Sequence, residues 1–235
     1  NNTPDEDFLC EIEKVFNVYD YLKIIAFDVI TADWDGYIFN KNNFYLYHNT
    51  ETGKFEYINY DLDNTFGIDW FDISWAERDV YDWHKELRPL YSRIMNTPEL
   101  RSQYTHYLNY IAEELLEPVA YTNYVDNLKW QNAPSIENDP FYPLDYGFTY
   151  EDYLNSFDEE LGMHVKYGLY PYLETRRSSL FDQLESTDPY PVINYIRNNH
   201  PQEGEDFKVR AYIDCLDDGS AVSLQFKVNS GVVQA

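Results

Sequence analysis

Residues 31–67 read TADWDGYIFNKNNFYLYHNTETGKFEYINYDLDNTFG, with Asp33 and Asp35 at the start and Asp61 and Asp63 at the end. Three asparagines, Asn40, Asn42 and Asn43, lie between these acidic pairs. Carboxylate and amide oxygens gathered at one point suit a hard divalent cation such as magnesium, which keeps water or phosphate in the rest of its shell. The same residue types are ordinary turn and cap formers, so composition alone serves either purpose. Geometry decides. Residues 44–48 and 55–60 read as two strand arms, and the intervening Asn-Thr-Glu-Thr-Gly at 49–53 carries the residues that turns require. A tight hairpin returns the chain to its starting point, so residues 40–43 and 61–63 are expected to meet in space.

The element that must deliver Asp33 and Asp35 lies just upstream. Leu22, Ile25, Ala26, Val29 and Ile30 recur at helical steps, which predicts a buried helix opening at Val18 and Asp20. Its C-terminal dipole disfavours carboxylates, so the two acids need a cation or donors nearby.

Asp35, followed five residues later by Asn40, repeats the Asp-to-Asn step of the protein-kinase catalytic loop. More specifically, WDG…NNFYLY…TGKFEYINYDLDNTFG resembles the spore-coat CotH family of atypical, secreted-type protein kinases, and the likeness runs to about residue 184. The resemblance implies an α+β fold: a mainly helical, kinase-like large lobe with a β-hairpin catalytic region, followed by a short β-rich segment. It also implies ATP and Mg2+ as cofactors, transfer to Ser or Thr of a protein, and a bacterial extracytoplasmic or surface location. Asp35 would be the catalytic-loop acid, Asp61 the main metal ligand and Asp63 its neighbour. Asn40 has the kinase spacing, whereas Asn43 directly precedes the strand as the metal-binding Asn does; Asn43 is favoured for the metal. Asn40 and Lys41, the nearest cation in the loop, would face the nucleotide.

The sequence departs from the kinase pattern in three places. Asp33-Trp34 stands where His-Arg would, and Asp61-Leu62-Asp63 replaces Asp-Phe-Gly. No Gly-rich phosphate loop or Val-Ala-Ile-Lys strand occurs. The sequence is therefore expected to begin just before the large lobe, without the small lobe, and to turn over poorly or not at all alone. The opening Asn-Asn-Thr-Pro reads as a processed or trimmed terminus.

Charge narrows the partners. With 17 Lys+Arg against 42 Asp+Glu, the formal net charge is −25. That argues against nucleic acid and against an anionic membrane surface. It favours a Lys- or Arg-rich protein substrate by steering, and it serves equally as a solubilising surface. Cys10 and Cys215 allow one long bridge or two thiols, the five histidines show no metal-ligand spacing, and no apolar run is long enough to span a membrane. Aromatics make up 18% of the residues, 24 of them Tyr, so buried hydroxyls must find many hydrogen-bond partners.

The rest of the chain supplies scaffold. Residues 1–7 read as loose and 8–16 as a helix. The acidic-aromatic stretch 68–75 reads as a loop anchored by Trp70 and Trp75, in the position of a docking segment. A short helix is expected over 86–95, with Leu87, Leu90, Tyr91 and Ile94 on one face. The next opens at Thr97-Pro98 and runs to about 116, burying Leu100, Tyr104, Tyr107, Leu108 and Ile111. Pro118 ends that helix or restarts one through Val119, Tyr124, Val125 and Leu128. Arg88, Arg93 and Arg101 read as surface ion pairs. Residues 131–147 read as a loop, Thr149 to Asp152 as a capping box, and 162–184 as a last helix kinked at Pro171. In that helix Val165, Leu169, Tyr172, Leu173 and Leu180 point inward, and Arg176 and Arg177 are structural. Residues 1–188 thus form one domain. Residues 189–235, with strands at 207–213 and 221–228, open a β-rich, Ig-like module or form an add-on. The competing function is a non-catalytic surface or coat module that binds calcium and a glycan or protein.

Overall fold

A computed structural model of the chain describes residues 2–144, 146–200, 202–204, 206–215 and 221–223. It divides into two units, Asn1–Asp188 and Pro189–Ala235. Its class is α+β and its larger unit is mainly helical, as the sequence predicts.

The larger unit is built around α2 (Val18–Thr31), preceded by α1 (Phe8–Val15). Leu22, Ile25, Ala26, Val29 and Ile30 are all 0–1% exposed, so the apolar periodicity maps onto a fully buried face. The helix ends at Ala32, whose left-handed φ of 60° turns the chain sharply while its N–H caps the carbonyls of Asp28 and Val29. After the loop 33–43 comes the expected hairpin: β1 (Phe44–Asn49) pairs antiparallel with β2 (Lys54–Asn59), Phe44 opposite Asn59 and Asn49 opposite Lys54. Gly53, at φ 72°, donates its N–H to Asn49 O at 2.8 Å and closes the turn.

Helices α3 (Pro89–Met95), α4 (Pro98–Tyr110), α5 (Pro118–Glu137), α6 (Tyr150–Asn155) and α7 (Leu169–Gln183) follow. Rings build much of the core: Trp75, Trp83, Tyr91, Tyr104 and Tyr172 are 0% exposed. Their polar ends reach backbone, as when Tyr104 donates to Val80 O and Tyr172 to Ile30 O, both at 2.8 Å. The Tyr21 hydroxyl is the exception, buried without a hydrogen-bond partner.

Several sequence expectations are corrected. Helix α3 begins at Pro89 rather than at residue 86, which leaves Leu87 outside it and 74% exposed. Residues 1–7 are not loose throughout: Asp5–Asp7 form a 3-10 turn, and Arg93 holds Thr3 O at 2.8 Å. Pro118 restarts a helix, and this helix α5 passes through Pro134 to Glu137, into the stretch read as loop; its Val119 and Tyr124 are 67% and 66% exposed. Residues 162–168 are not helical. Gly162 and Val165 form a bridge, and α7 starts only at Leu169, which puts Pro171 in its first turn where no kink results. Of the two proposed anchors, Trp75 is buried but Trp70 is 53% exposed. The capping box is present: Thr149 Oγ1 accepts from Asp152 N, and Asp152 accepts from Thr149 N.

Arg176 on α7 is structural, as expected. It is 0% exposed and donates to the carbonyls of Val29 and Arg78 (2.8 Å each) and Ala76 (3.3 Å).

In the second unit, β3 (Val192–Asn198) pairs antiparallel with β4 (Val209–Asp214), with a register irregularity between Ile193 and Tyr195. The stretch 192–197, read as a connection, is therefore a strand. The strand expected at 207–213 starts two residues later. The strand expected at 221–228 lies outside the described residues beyond 223, and 221–223 carry no strand.

Replacing Arg176 by Met should strand three buried carbonyls and lower unfolding stability by about 3 kcal/mol. Urea unfolding should show a reduced midpoint with little change in slope. Lys14→Met, which breaks an exposed pair with Glu11, should leave the urea midpoint unchanged within error.

Candidate functional site

Loop 33–43 is shaped before any of its side chains does chemistry. The Asp33 N–H bonds Asp28 O at 2.8 Å, and the Asp33 carboxylate accepts the Asp35 N–H at 3.1 Å. Trp83 Nε1 donates to Asp33 O at 3.3 Å, and Trp34 Nε1 to Ile68 O at 2.8 Å. Arg88 closes the other side. Its guanidinium is buried and donates to Tyr37 O at 3.0 Å and Phe39 O at 2.6 Å. Arg88 is thus a buried loop clamp as well as an ion-pair residue, its Nη1 lying 3.4 Å from the exposed Glu86 carboxylate. The surface role does describe Arg93 with Asp5 and Arg101 with Glu185. Lys41 and Asn43, at φ 59° and 51°, hold left-handed conformations that cost energy for residues with a Cβ, so the clamp is what sustains them.

On this frame the structure joins three of the predicted residues directly. Asn43 Nδ2 donates to Asp35 Oδ2 at 3.0 Å, and Asn40 Nδ2 donates to Asp35 Oδ1. The sequence left a choice between the two asparagines; both engage the acid, one per oxygen. Asn43 is also the buried one of the pair, at 6% exposure, and its carbonyl accepts the Tyr60 N–H at 3.1 Å. The hairpin therefore brings the end of its second arm to Asn43, one residue before Asp61.

Asp61 and Asp63 are exposed, and neither is hydrogen-bonded to Asp35 or Asn43. Asp61 has a left-handed φ of 59°, and Asp63 Oδ1 accepts the Asn64 amide at 2.9 Å. Lys41 is drawn away from the acids into an ion pair with Glu86, whose carboxyl that contact holds below its ordinary range.

Behind Asp35 lies a pair of acids: Asp33, which the sequence grouped with Asp35 but gave no role, and Asp28, which it did not place in the site. Asp33 and Asp28 are each 3% exposed. Burial pushes the Asp33 carboxyl up to about 7; the N–H groups of Asp35 and Gly36 oppose the rise, and the charges of Asp35 and Asp63 add to it. Burial also pushes Asp28 well up, reinforced by Asp33 and opposed by the Asn59 amide, which donates to Asp28 Oδ1 at 2.9 Å. Asp33 Oδ2 is buried and unbonded. Gly36 leaves this oxygen room, since a Cβ there would sit 2.9 Å from it. Asp28 was detectable as a lone acid inside the apolar run Ile24–Ile30; Asn59, Trp83 and Arg88 carried no local signal.

Among the described residues, no three His, Cys, Asp or Glu side chains form a group that could hold a metal. The donors near Asp35 are mixed carboxylate and amide oxygens, and an unbonded buried carboxylate oxygen lies behind them. That donor chemistry fits a magnesium ion that completes its shell with water and phosphate. Among the same residues, no helix is long and apolar enough to cross a membrane.

The family model described as CotH kinase protein matches residues 1–170. Inner spore coat protein H of Bacillus subtilis (strain 168) is 32% identical over 117 residues, 49% of this chain and 30% of that protein. Invasin CotH3 of Rhizopus delemar is 21% identical over 164 residues, 63% of the chain and 26% of the invasin. Invasin CotH2 of the same fungus is 20% identical over 204 residues, 78% of the chain and 34% of the invasin. The matched region thus spans between about a quarter and a third of each relative's length.

The raised Asp33 carboxyl sets a pH dependence. The folded state holds this proton up to about pH 7, while the unfolded state releases it near the ordinary value of 3.8. Between those limits the folded state binds more protons, so this group's contribution to stability falls as pH rises, by up to about 1.4 kcal/mol per pH unit, and levels off above pH 7. Asp33→Asn keeps one oxygen for the Asp35 N–H and removes the titration. Urea unfolding of both proteins with chelator present, at pH 5 and pH 7.5, should show the variant gaining on the parent as pH rises.

Proposed function

The chain belongs to the CotH family, and from that membership we propose that residues 1–188 are the large lobe of a phosphotransferase that moves a phosphoryl group from Mg-ATP to a Ser or Thr hydroxyl of a protein. One observation supports this reading above the rest: Asn40 and Asn43 hold the two oxygens of Asp35, and Asn43 is bonded through its carbonyl to the residue before Asp61.

In this reading Asp35 orients the acceptor hydroxyl and takes its proton. The two amides fix the carboxylate's plane and so aim it. Asn43 donates through Nδ2, so its Oδ1 is the atom available to a cation, with Asp61 and Asp63 the carboxylates on the opposite rim. Magnesium, when bound, would neutralise phosphate charge; the chemistry then needs little beyond positioning. Asn40 and Lys41 would face the nucleotide, and Lys41 would have to leave Glu86 to do so. The kinds of protein it is related to, a spore coat protein and invasins, support a coat or cell-surface location, and the net charge of −25 supports a basic substrate.

In a longer form of the protein, extended at the N-terminus, Mg-ATP should raise the melting temperature by mass action. Asp61→Ala should abolish that shift, whereas Asp35→Ala should keep it and lose transfer of labelled phosphate to a Ser-containing protein. A shift produced by calcium alone and indifferent to nucleotide would overturn the reading in favour of a non-catalytic calcium-binding module.

A further inference from the structure

We propose that a cleft walled by Trp70, Tyr146 and His164 is a docking subsite for a lysine or arginine side chain of a protein partner. The cleft holds about 480 Å³ and is completed by Asp69, Asp72, Met163 and Lys166. It depends on the phosphotransfer reading only for the use made of its occupant, which would be to bring an acceptor hydroxyl toward Asp35.

Its aromatic residues are not packing residues. Trp70 and Tyr146 are each 53% exposed, whereas Trp75 and Trp83 are wholly buried. Yet the exposed rings are held still. The His164 imidazole stacks on Trp70 at 4.5 Å and 11°, with the Tyr146 ring edge-on to it at 4.9 Å. Trp70 Nε1 donates to Asn64 Oδ1 at 3.3 Å. The floor is locked as well: Asp69 accepts from Phe71 N and Trp75 Nε1 at 2.9 Å each, and its own N–H bonds His164 O at 2.8 Å. Exposed apolar surface on a rigid frame marks a recognition site, because little ordering remains to be done on binding.

Charge selects the occupant. Ring faces carry negative potential and attract cations. Inside this fold that attraction is used repeatedly, with Lys85 over Phe71 at 5.1 Å and Arg78 over Trp75 at 5.6 Å. Among the described residues no lysine or arginine lies over Trp70 or Tyr146, and the Asp72 carboxylate is exposed at the rim. The Asp69 carboxylate is already spent on backbone and indole donors. The chain's charge of −25 would draw a basic partner toward the cleft. Lys166 opposes a cation, and this gives the test its sign. Asn64, which accepts from Trp70, donates to Asp63 at 2.9 Å, so an occupant on the indole lies two hydrogen bonds from the proposed metal loop.

The test is fluorescence anisotropy of a labelled Ser peptide rich in Lys and Arg, with chelator and without nucleotide. Trp70→Ala should weaken binding about tenfold and Trp70→Phe less, in line with the strength of ring–cation contacts. Asp72→Asn should weaken it and Lys166→Ala should tighten it; a peptide with Glu in place of its basic residues should not bind. Equal binding by the parent, Trp70→Ala and Lys166→Ala would overturn the subsite, as would Trp70-dependent binding of a neutral oligosaccharide in place of the peptide. If Trp70→Ala fails to fold, Asp72→Asn and Lys166→Ala, both exposed positions, still decide. Because nucleotide is absent, loss of the subsite leaves the Mg-ATP melting shift intact, and failure of that shift leaves peptide binding intact.

Discussion

The architecture depends on two buried guanidinium groups that have exchanged water for main-chain carbonyls. Arg176 joins the end of α2 to the segment at residues 76–78 from its place on α7. Arg88 joins the start of α3 to the loop carrying Asp35. A buried guanidinium needs its donors met, and a planar fork can meet several carbonyls at once where an ammonium could not; Arg176 meets three through its two terminal nitrogens and leaves its Nε without a partner. Breaking either clamp frees segments far apart in sequence. In a chain with few cations, committing two of them to the backbone is a strong statement about which contacts the fold requires.

From those clamps the site follows in steps. Helix α2 stops in a left-handed residue, so the chain reverses and lays Asp33 beneath the helix end. Asp33 spends one oxygen on the turn that presents Asp35. The hairpin then closes and returns residue 60 to Asn43. Asp35 is thus half-buried on a loop whose carboxylate partners are set by Asn40 and Asn43, which is the condition a positioned acid needs. The buried acids behind it are a cost, and they are retained where the loop has least freedom.

Local patterns were the legible part. Helix α2, the hairpin, the Thr149 capping box and the start of α4 at Pro98 depend on residues within a few positions of one another, and the sequence names them. What depends on distant chain was not legible. Helix α7 starts late because residues 156–159 cross its N-terminus: Ser156 O and Phe157 O accept from Leu169 and Tyr170, and a Cβ on Gly168 would lie 2.4 Å from Asp158 C. Helix α5 extends past its loop-like composition, carrying Pro134 within it. In the site, Asp35, Asn40 and Asn43 were readable from spacing. Their supports, Arg88, Trp83 and Asn59, come from other elements, and no spacing announces them.

The hairpin has a cost that the rest of the molecule must bear. Tyr45, Leu46, Tyr47, Phe55 and Ile58 are all at least 44% exposed on a two-stranded ribbon. Such a ribbon is a template for edge pairing between molecules. Colloidal repulsion from the large negative charge is the counterweight, and it fades toward the isoelectric point near 4.3 and under screening salt. The same acidity therefore works against adhesion of its own copies ribbon to ribbon.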